Sequence, residues 1–393
     1  MTTIEDRLRD AMRAKAETVR DDGRSTLPPP SSGRARDWWA PVAVAAAIVL
    51  VVTVTVVATR TVTLPAPAVR PTLSSGTLAP PVTRVWPGAV HEIPTMGPDG
   101  GMFKPDVFVS DRVVVGRGLT RNRLSGIWSY DVDTRRFTRI AQIRDVRVMN
   151  APLVFGDGYL AWSTFRDRMT EIWAVPVTGG TPRRLASITG LVTSDNSYGG
   201  IDLAVADGMA VWSPYDGGVY RVPLRGGQPS LVQGTRGYYL LDWPWAGWPP
   251  QDRTLDHPVP RPMEHVRNVL TDERRDAVPP AGRSSWNACG VTWCVNGVES
   301  WRRDGTGLHG LPGTAQGDEL YSGRFILLNQ KSAGGAAVAV YDLATGRTGQ
   351  LFSIPTRRGD QAPPTLNAEE GMFWYQTGRG TQVLVNLTAA GRS

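Results

Sequence analysis

Hydrophobic and polar positions divide this chain into two unlike parts. From Trp38 to Thr59 the sequence WWAPVAVAAAIVLVVTVTVVAT runs through 22 residues without a charge and stops at Arg60. As a helix rising about 1.5 Å per residue it reaches roughly 33 Å, enough for a hydrocarbon core of about 30 Å. The pattern predicts one transmembrane helix. A buried core segment and a cleaved signal peptide are the alternatives, but the run is long for either. After residue 82 no such run recurs. Short alternating apolar segments are separated by Gly, Asp and Pro, as expected of strands joined by tight turns.

Before the span, residues 3–20 (TIEDRLRDAMRAKAETVR) place Ile4, Leu8, Ala11, Met12, Ala16 and Val19 on one helical stripe. This predicts a short amphipathic helix, either a solvated helix of marginal stability or a docking helix for a cytoplasmic partner. Residues 60–81 are rich in Pro, Thr, Ser and Ala and form a tether. The division is therefore a tail (1–37), a span (38–59), a tether (60–81) and a β-rich region (82–393).

The last region repeats. Gly156–Ile188 (GDGYLAWSTFRDRMTEIWAVPVTGGTPRRLASI) and Ala206–Val232 (ADGMAVWSPYDGGVYRVPLRGGQPSLV) share one plan. An Asp-Gly turn opens an apolar strand ending in Trp162 or Trp212; a second strand, a Gly-Gly turn and a polar strand follow. Asp-Gly and Gly-Gly tolerate the positive φ that tight hairpins need. Further copies align on Arg112, Gly247, Gly290, Gly323 and Gly371, those at Gly247 and Gly290 being the least regular. Their mean spacing of about 43 residues is that of a four-stranded propeller blade. Only 22 residues follow Gly371, enough for two strands. The segment Val82–Pro94 can supply the missing outer strand and close the ring. The expected fold is an all-β, seven-bladed β-propeller, with six or eight blades as alternatives.

The Asp-Gly turn, the apolar strand with its terminal Trp, and segments such as IWAVPVTGGTPRRL and VAVYDLATGRTGQL resemble the WD40-like repeats of TolB-like β-propellers. The resemblance covers roughly residues 82–393. With the tail and span added, the chain is similar to membrane-anchored TolB-like proteins of actinobacterial type, and its excess of Arg over Lys suits a GC-rich genome. The resemblance implies the fold and leaves activity open, because propellers host both enzymes and binding modules. The tail also resembles the inner part of single-pass anti-sigma factors. It has neither His nor Cys, so a zinc-binding version is excluded, and its length is small for a sigma-binding bundle.

Charge narrows function further. The net charge of +7 is spread among acidic residues, with no basic run, which argues against nucleic-acid binding. Arg24, Arg34 and Arg36 before the span modestly favour a cytoplasmic N-terminus. A close cysteine pair in a β-rich domain suits an oxidising exterior, which puts the propeller outside the cell membrane. Cys289 and Cys294 are expected to form a disulfide between the first two strands of the fifth blade; a free pair or a metal site is the alternative, and no His lies close by.

The four histidines, His91, His257, His265 and His309, fall in separate segments, and no nucleophile-elbow, HExxH, phosphate-loop or dinucleotide motif is present. No catalytic residue, metal or cofactor is assigned. Asp111, Asp157, Asp207 and Asp342 recur at turns or strand ends and are expected to bond turn backbone. Carboxylates converging on the channel of a propeller hydrolase or lyase are the alternative. Trp128, Trp162, Trp173, Trp212 and Trp374 are expected to pack between blades. Trp243, Trp245 and Trp248, crowded into LDWPWAGWPPQD, either plug a distorted core or form an aromatic face for a glycan, peptide or protein. Thr164–Thr170, Thr189–Gly200 and Pro249–His265 are expected to be long recognition loops. The expected function is that of a non-catalytic propeller binding a cell-envelope protein or glycan. The alternatives are the extracytoplasmic hydrolase or lyase and a regulator acting through the tail.

Overall fold

Both faces of most strands are buried, and this fixes the architecture. In the computed structural model, which describes residues 77–121, 123–143, 153–166, 169–189, 202–214, 216–248, 263–333, 335–354, 362–369, 371–378 and 380–392, seven four-stranded antiparallel sheets follow one another along the chain. Leu160 and Trp162 pack toward blade 1, whereas the intervening Ala161 packs toward blade 3. Ala210 and Trp212 likewise face blade 2, and Val211 faces blade 4. Successive side chains alternate across a strand, so a strand sandwiched between two neighbours must be apolar at every position. Seven apolar clusters result, one at each blade boundary, and together they make the core.

The inner strands are Met102–Phe108 (blade 1), Val154–Gly156 (blade 2), Asp202–Ala206 (blade 3), Tyr239–Asp242 (blade 4), Ala288–Cys289 (blade 5), Thr314–Ala315 (blade 6) and Leu366–Glu369 (blade 7). Asp157-Gly158 and Asp207-Gly208 turn with φ of 49° and 75°, and 54° and 70°. Ser322-Gly323 does the same in blade 6, at 49° and 59°. Blade 4 departs from the expected pattern. Its turn is Trp243-Pro244, a cis peptide, and Gly247 lies inside the second strand, Trp245–Trp248. The segment Thr164–Thr170 is not a long loop either. Its strands pair as far as Arg166 and Met169, with Thr164 and Thr170 buried.

The ring closes with the first strand of the described residues. Val90–Pro94 pairs antiparallel with Thr381–Asn386, from Val90 opposite Val385 to Pro94 opposite Thr381, and so becomes the outer strand of blade 7. The preceding residues are not extended. Val82–Val85 is a helical turn and Pro87–Ala89 a 3₁₀ turn, and between them Trp86 drops between blades 6 and 7 against Phe325, edge to face at 6.3 Å. Glycine is required at position 349, because a Cβ there would lie 2.8 Å from the Trp86 ring. Contact with blade 6 begins still earlier: the Ala79 N–H donates to Gln330 Oε1 at 3.0 Å, and the Gln350 N–H donates to the Pro80 carbonyl at 2.8 Å.

Trp162, Trp212 and Trp374 are buried at blade boundaries, and Trp128 and Trp173 pack partly buried beside them. The Cys289–Cys294 disulfide joins directly opposed residues of the first two strands of blade 5. The tail helix, the span Trp38–Thr59, most of the tether and the segments 190–200 and 249–262 lie outside the described residues. Among the described residues, no helix is long and apolar enough to cross a membrane.

Candidate functional site

At the end of the channel where the inner strands turn back, the ring forms a half-open cavity of about 620 Å³. Inner strands of blades 1, 2, 3, 4 and 7 wall it, blade 6 contributes Ser322, and blade 5, whose inner strand is only Ala288–Cys289, contributes no lining residue. The walls combine apolar groups, among them Phe108, Phe155, Leu203 and Leu240, with the carboxylates of Asp106, Asp111, Asp202, Asp242 and Glu369 and the guanidinium of Arg392. Size and lining are those of a small-ligand site.

The turn aspartates fasten this end of the ring. Asp157 of blade 2 accepts a hydrogen bond from the Gly208 N–H of blade 3 at 2.7 Å. Asp207 of blade 3 accepts one from Trp243 Nε1 of blade 4 at 2.9 Å. Asp111 of blade 1 pairs with Arg392 of the C-terminal helix, Leu387–Arg392. Asp342 caps its own turn through the Ala344 N–H at 3.0 Å and holds Arg324 bidentately, both contacts at 2.6 Å. The expected backbone role thus holds for Asp157 and Asp342, whereas Asp207 and Asp111 bind side chains of neighbouring elements.

Sequence reasoning missed the carboxylates that matter most. Strand pairing in blade 1 slips between Pro105 and Val107, so Asp106 sits at a bulge, a device that re-aims a side chain. It meets Arg117 through Nε at 2.8 Å and a second nitrogen at 2.6 Å. Both side chains are buried. Burial opposes charge on Arg117, but the adjoining carboxylate outweighs it and the guanidinium holds its proton more tightly than usual. Burial pushes the Asp106 carboxyl up, against the pull of Arg117.

Asp242 and Glu369 each end an inner strand, and both line the cavity. Burial drives the Glu369 carboxyl up to about 7, and the nearby Asp106 charge adds to the effect. Lys104, ion-paired with Glu369 through Nζ and Oε1 at 3.7 Å, and the Arg117 charge oppose the shift without cancelling it. Asp242 is open to the cavity yet crowded by protein, and that desolvation raises its pKa. Among the described residues, no donor or cation contacts its carboxylate. No three His, Cys, Asp or Glu side chains of the described residues converge as metal ligands would.

The three clustered tryptophans separate. Trp243 lines the cavity and reaches toward blade 3. Trp245 and Trp248, three residues apart on one strand, project from opposite faces of the sheet. Arg275 lies over the Trp245 ring at 4.5 Å, and Trp248, 41% exposed, stacks on His265 at 6.0 Å. They do not form one aromatic face.

No protein-family model and no curated protein sequence matches this chain. Among solved structures it is similar to an oligogalacturonate lyase in complex with manganese, at 14% identity over 77% of this chain and 92% of that one, TM-score 0.40. It is also similar to TolB from Acinetobacter baumannii, at 13% identity over 70% and 79%, TM-score 0.31. A computationally designed protein, Ika8, matches at 14% identity over 75% and 99%, TM-score 0.33. The chain is a seven-bladed β-propeller with TolB-like structural neighbours, and these likenesses speak to fold alone.

Proposed function

We propose that the protein is a single-pass membrane protein, N-terminus cytoplasmic, that displays a non-catalytic propeller on the outer side of the cell membrane to bind a cell-envelope protein or glycan. The charge-free run Trp38–Thr59 supports the anchor. The cavity at the channel end carries the binding reading. It combines apolar walls with a predominantly acidic set of charges and is framed by inner strands that cross-blade hydrogen bonds hold in place. A rigid, preorganised wall of this kind loses little entropy on binding. A photo-crosslinking residue at Thr388, on the cavity rim, should capture a discrete partner in intact cells, and one at Ser230, on the outer strand of blade 3, should not. Equal capture from both positions, or none from Thr388, overturns the reading.

A further inference from the structure

The seam between blades 7 and 1 gathers buried polar atoms that the surrounding protein does not satisfy. Among the described residues, six buried side-chain nitrogen or oxygen atoms lack a hydrogen-bond partner, and four of them lie here: His91 Nε2, Trp128 Nε1, Trp374 Nε1 and Gln382 Oε1. Blade 7 supplies three of these residues. His91 stands opposite Leu384 and Leu384 opposite Trp374, while Gln382 stands opposite Ile93 and donates through Nε2 to the Phe103 carbonyl of blade 1 at 3.0 Å. Trp128 belongs to blade 1. A buried polar atom without a partner costs free energy that the packing around it must offset. Blade 7 is also the blade that needs a strand from the other end of the chain, Val90–Pro94.

His91 makes this seam sensitive to pH. It is 7% exposed on the closing strand and faces blade 1, its ring 5.7 Å from that of Phe108. Blade 1 presents Asp111, Arg112 and Asp133 to it, and Arg392 of the C-terminal helix pairs with Asp111. Glu92, the next residue of the strand, is exposed on the opposite face. Burial and then the Arg112 charge hold the imidazole below its ordinary value of 6.5, against the pull of the Asp111 backbone and the Asp133 and Asp111 carboxylates. Protonated, the ring would be a second positive charge beside Arg112 in a site walled by Phe108 and Leu384. The unfolded chain takes up the proton first. The stability contributed by the neutral ring is therefore fully present above about pH 6.5 and is lost as pH falls below it.

We propose that closure of the ring is an acid-sensitive latch: protonation of His91 releases Val90–Pro94 from Thr381–Asn386 and loosens the cavity wall at Phe108 and Asp111. The inference goes beyond the binding reading, since it concerns how the site is held rather than what fills it.

Hydrogen exchange on the full-length protein in detergent, read by mass spectrometry and corrected for the intrinsic pH dependence of exchange, tests the latch. From pH 7.5 to pH 5.5, protection of Val90–Pro94 and Thr381–Asn386 should fall about fivefold to tenfold, while Tyr159–Arg166 and Met209–Ser213 keep theirs. His91→Gln carries no titrating ring and should hold its protection at both pH values. Arg112→Gln removes the lesser of the two causes and should shrink the loss without abolishing it. Glu369 titrates in the opposite sense, so the comparison is repeated in Glu369→Gln, where the loss should be at least as large. Protection that falls by the same factor in every blade, or not at all, overturns the proposal. So does a loss that persists undiminished in His91→Gln or, should that variant not fold, in Arg112→Gln.

The Thr388 crosslink keeps the latch separate from the binding reading. Loss of protection at pH 5.5 with no adduct at either pH leaves the latch standing and the partner refuted. An adduct at both pH values with unchanged protection does the reverse. An adduct formed at pH 7.5, lost at pH 5.5 and retained in His91→Gln supports both and ties the partner to the closed ring.

Discussion

Asp242 and Glu369 occupy the same register position in different blades. Each is the last paired residue of an inner strand, Asp242 opposite Trp245 and Glu369 opposite Met372. The equivalent residues of blades 2 and 3 are Gly156 and Ala206, opposite Tyr159 and Met209. At Gly156 a Cβ would fall 1.9 Å from the Val205 carbonyl oxygen, so that blade cannot carry a side chain there. The repeat thus places carboxylates at this position in blades 4 and 7, with Cys289 and Ala315 at the ends of the two inner strands between them.

Glu369 gives a pH signature. Its carboxyl is raised from 4.5 to about 7, so the native state holds the proton more tightly than the unfolded chain does. The associated stability is fully present below about pH 4.5 and is lost as pH rises through about 7. Glu369→Gln should therefore be more stable than the wild type at pH 8 by on the order of 2 kcal/mol. Urea unfolding at pH 5 and pH 8 reads the gap, and a gap that widens toward pH 5 contradicts the assignment.

The buried pair Asp106–Arg117 is expected to behave asymmetrically. Arg117→Met alone strands a buried carboxylate and should cost about 3–5 kcal/mol. Combined with Asp106→Leu, most of that loss should return. A double-mutant cycle by chemical denaturation measures the coupling; additive losses mean that the two residues do not act as a pair.

Closure of the ring depends on Trp86. The side chain is 1% exposed, with Phe325 at its edge and Arg347 5.5 Å from its ring centre. Trp86→Ala should lower stability by about 3–5 kcal/mol. Hydrogen exchange should rise first in Val90–Pro94 and Thr381–Asn386. Exchange rising uniformly around the ring contradicts a local role in closure.

Asp157 combines a positive φ of 49° with a hydrogen bond into the next blade. Asp157→Ala loses both the acceptor and a residue that tolerates this conformation, and about 1–2 kcal/mol should follow. Asp157→Asn keeps an acceptor and the same tolerance and should lose well under half as much. Thermal melts of the two variants test the difference.

Blades 2 and 3 were legible because Asp-Gly marks a hairpin through backbone chemistry alone. Blade 4 was not, because Trp243-Pro244 makes the same turn without glycine and Gly247 drew the alignment three residues too far. Closure by the segment before the first repeat could be foreseen from the strand count, but not the helical turns at Val82–Val85 and Pro87–Ala89. Their purpose is to seat Trp86, a tertiary matter. The three tryptophans looked like one feature because they are close in sequence. A strand separates neighbours that an odd number of steps divides, and Trp245 and Trp248 part accordingly. Asp242 and Glu369 carried a usable signal, a carboxylate just before the turn where blades 2 and 3 have Gly156 and Ala206. It becomes visible only when the repeats are aligned on strand register rather than on glycine. Asp106 had no comparable mark, since the bulge that turns it toward Arg117 leaves no trace in the apolar pattern.

Because Val90–Pro94 finds its partner only at Thr381–Asn386, the ring cannot be completed while the chain is still being synthesised through its earlier blades. A product that stops before Thr381 leaves an unpaired strand at one edge and uncovers Phe325 and Trp86 at another. Such an edge is a template for misassembly and a handle for quality-control proteases. Closure by the first strand therefore works as a check on completeness, separating finished chains from interrupted ones before any ligand is met.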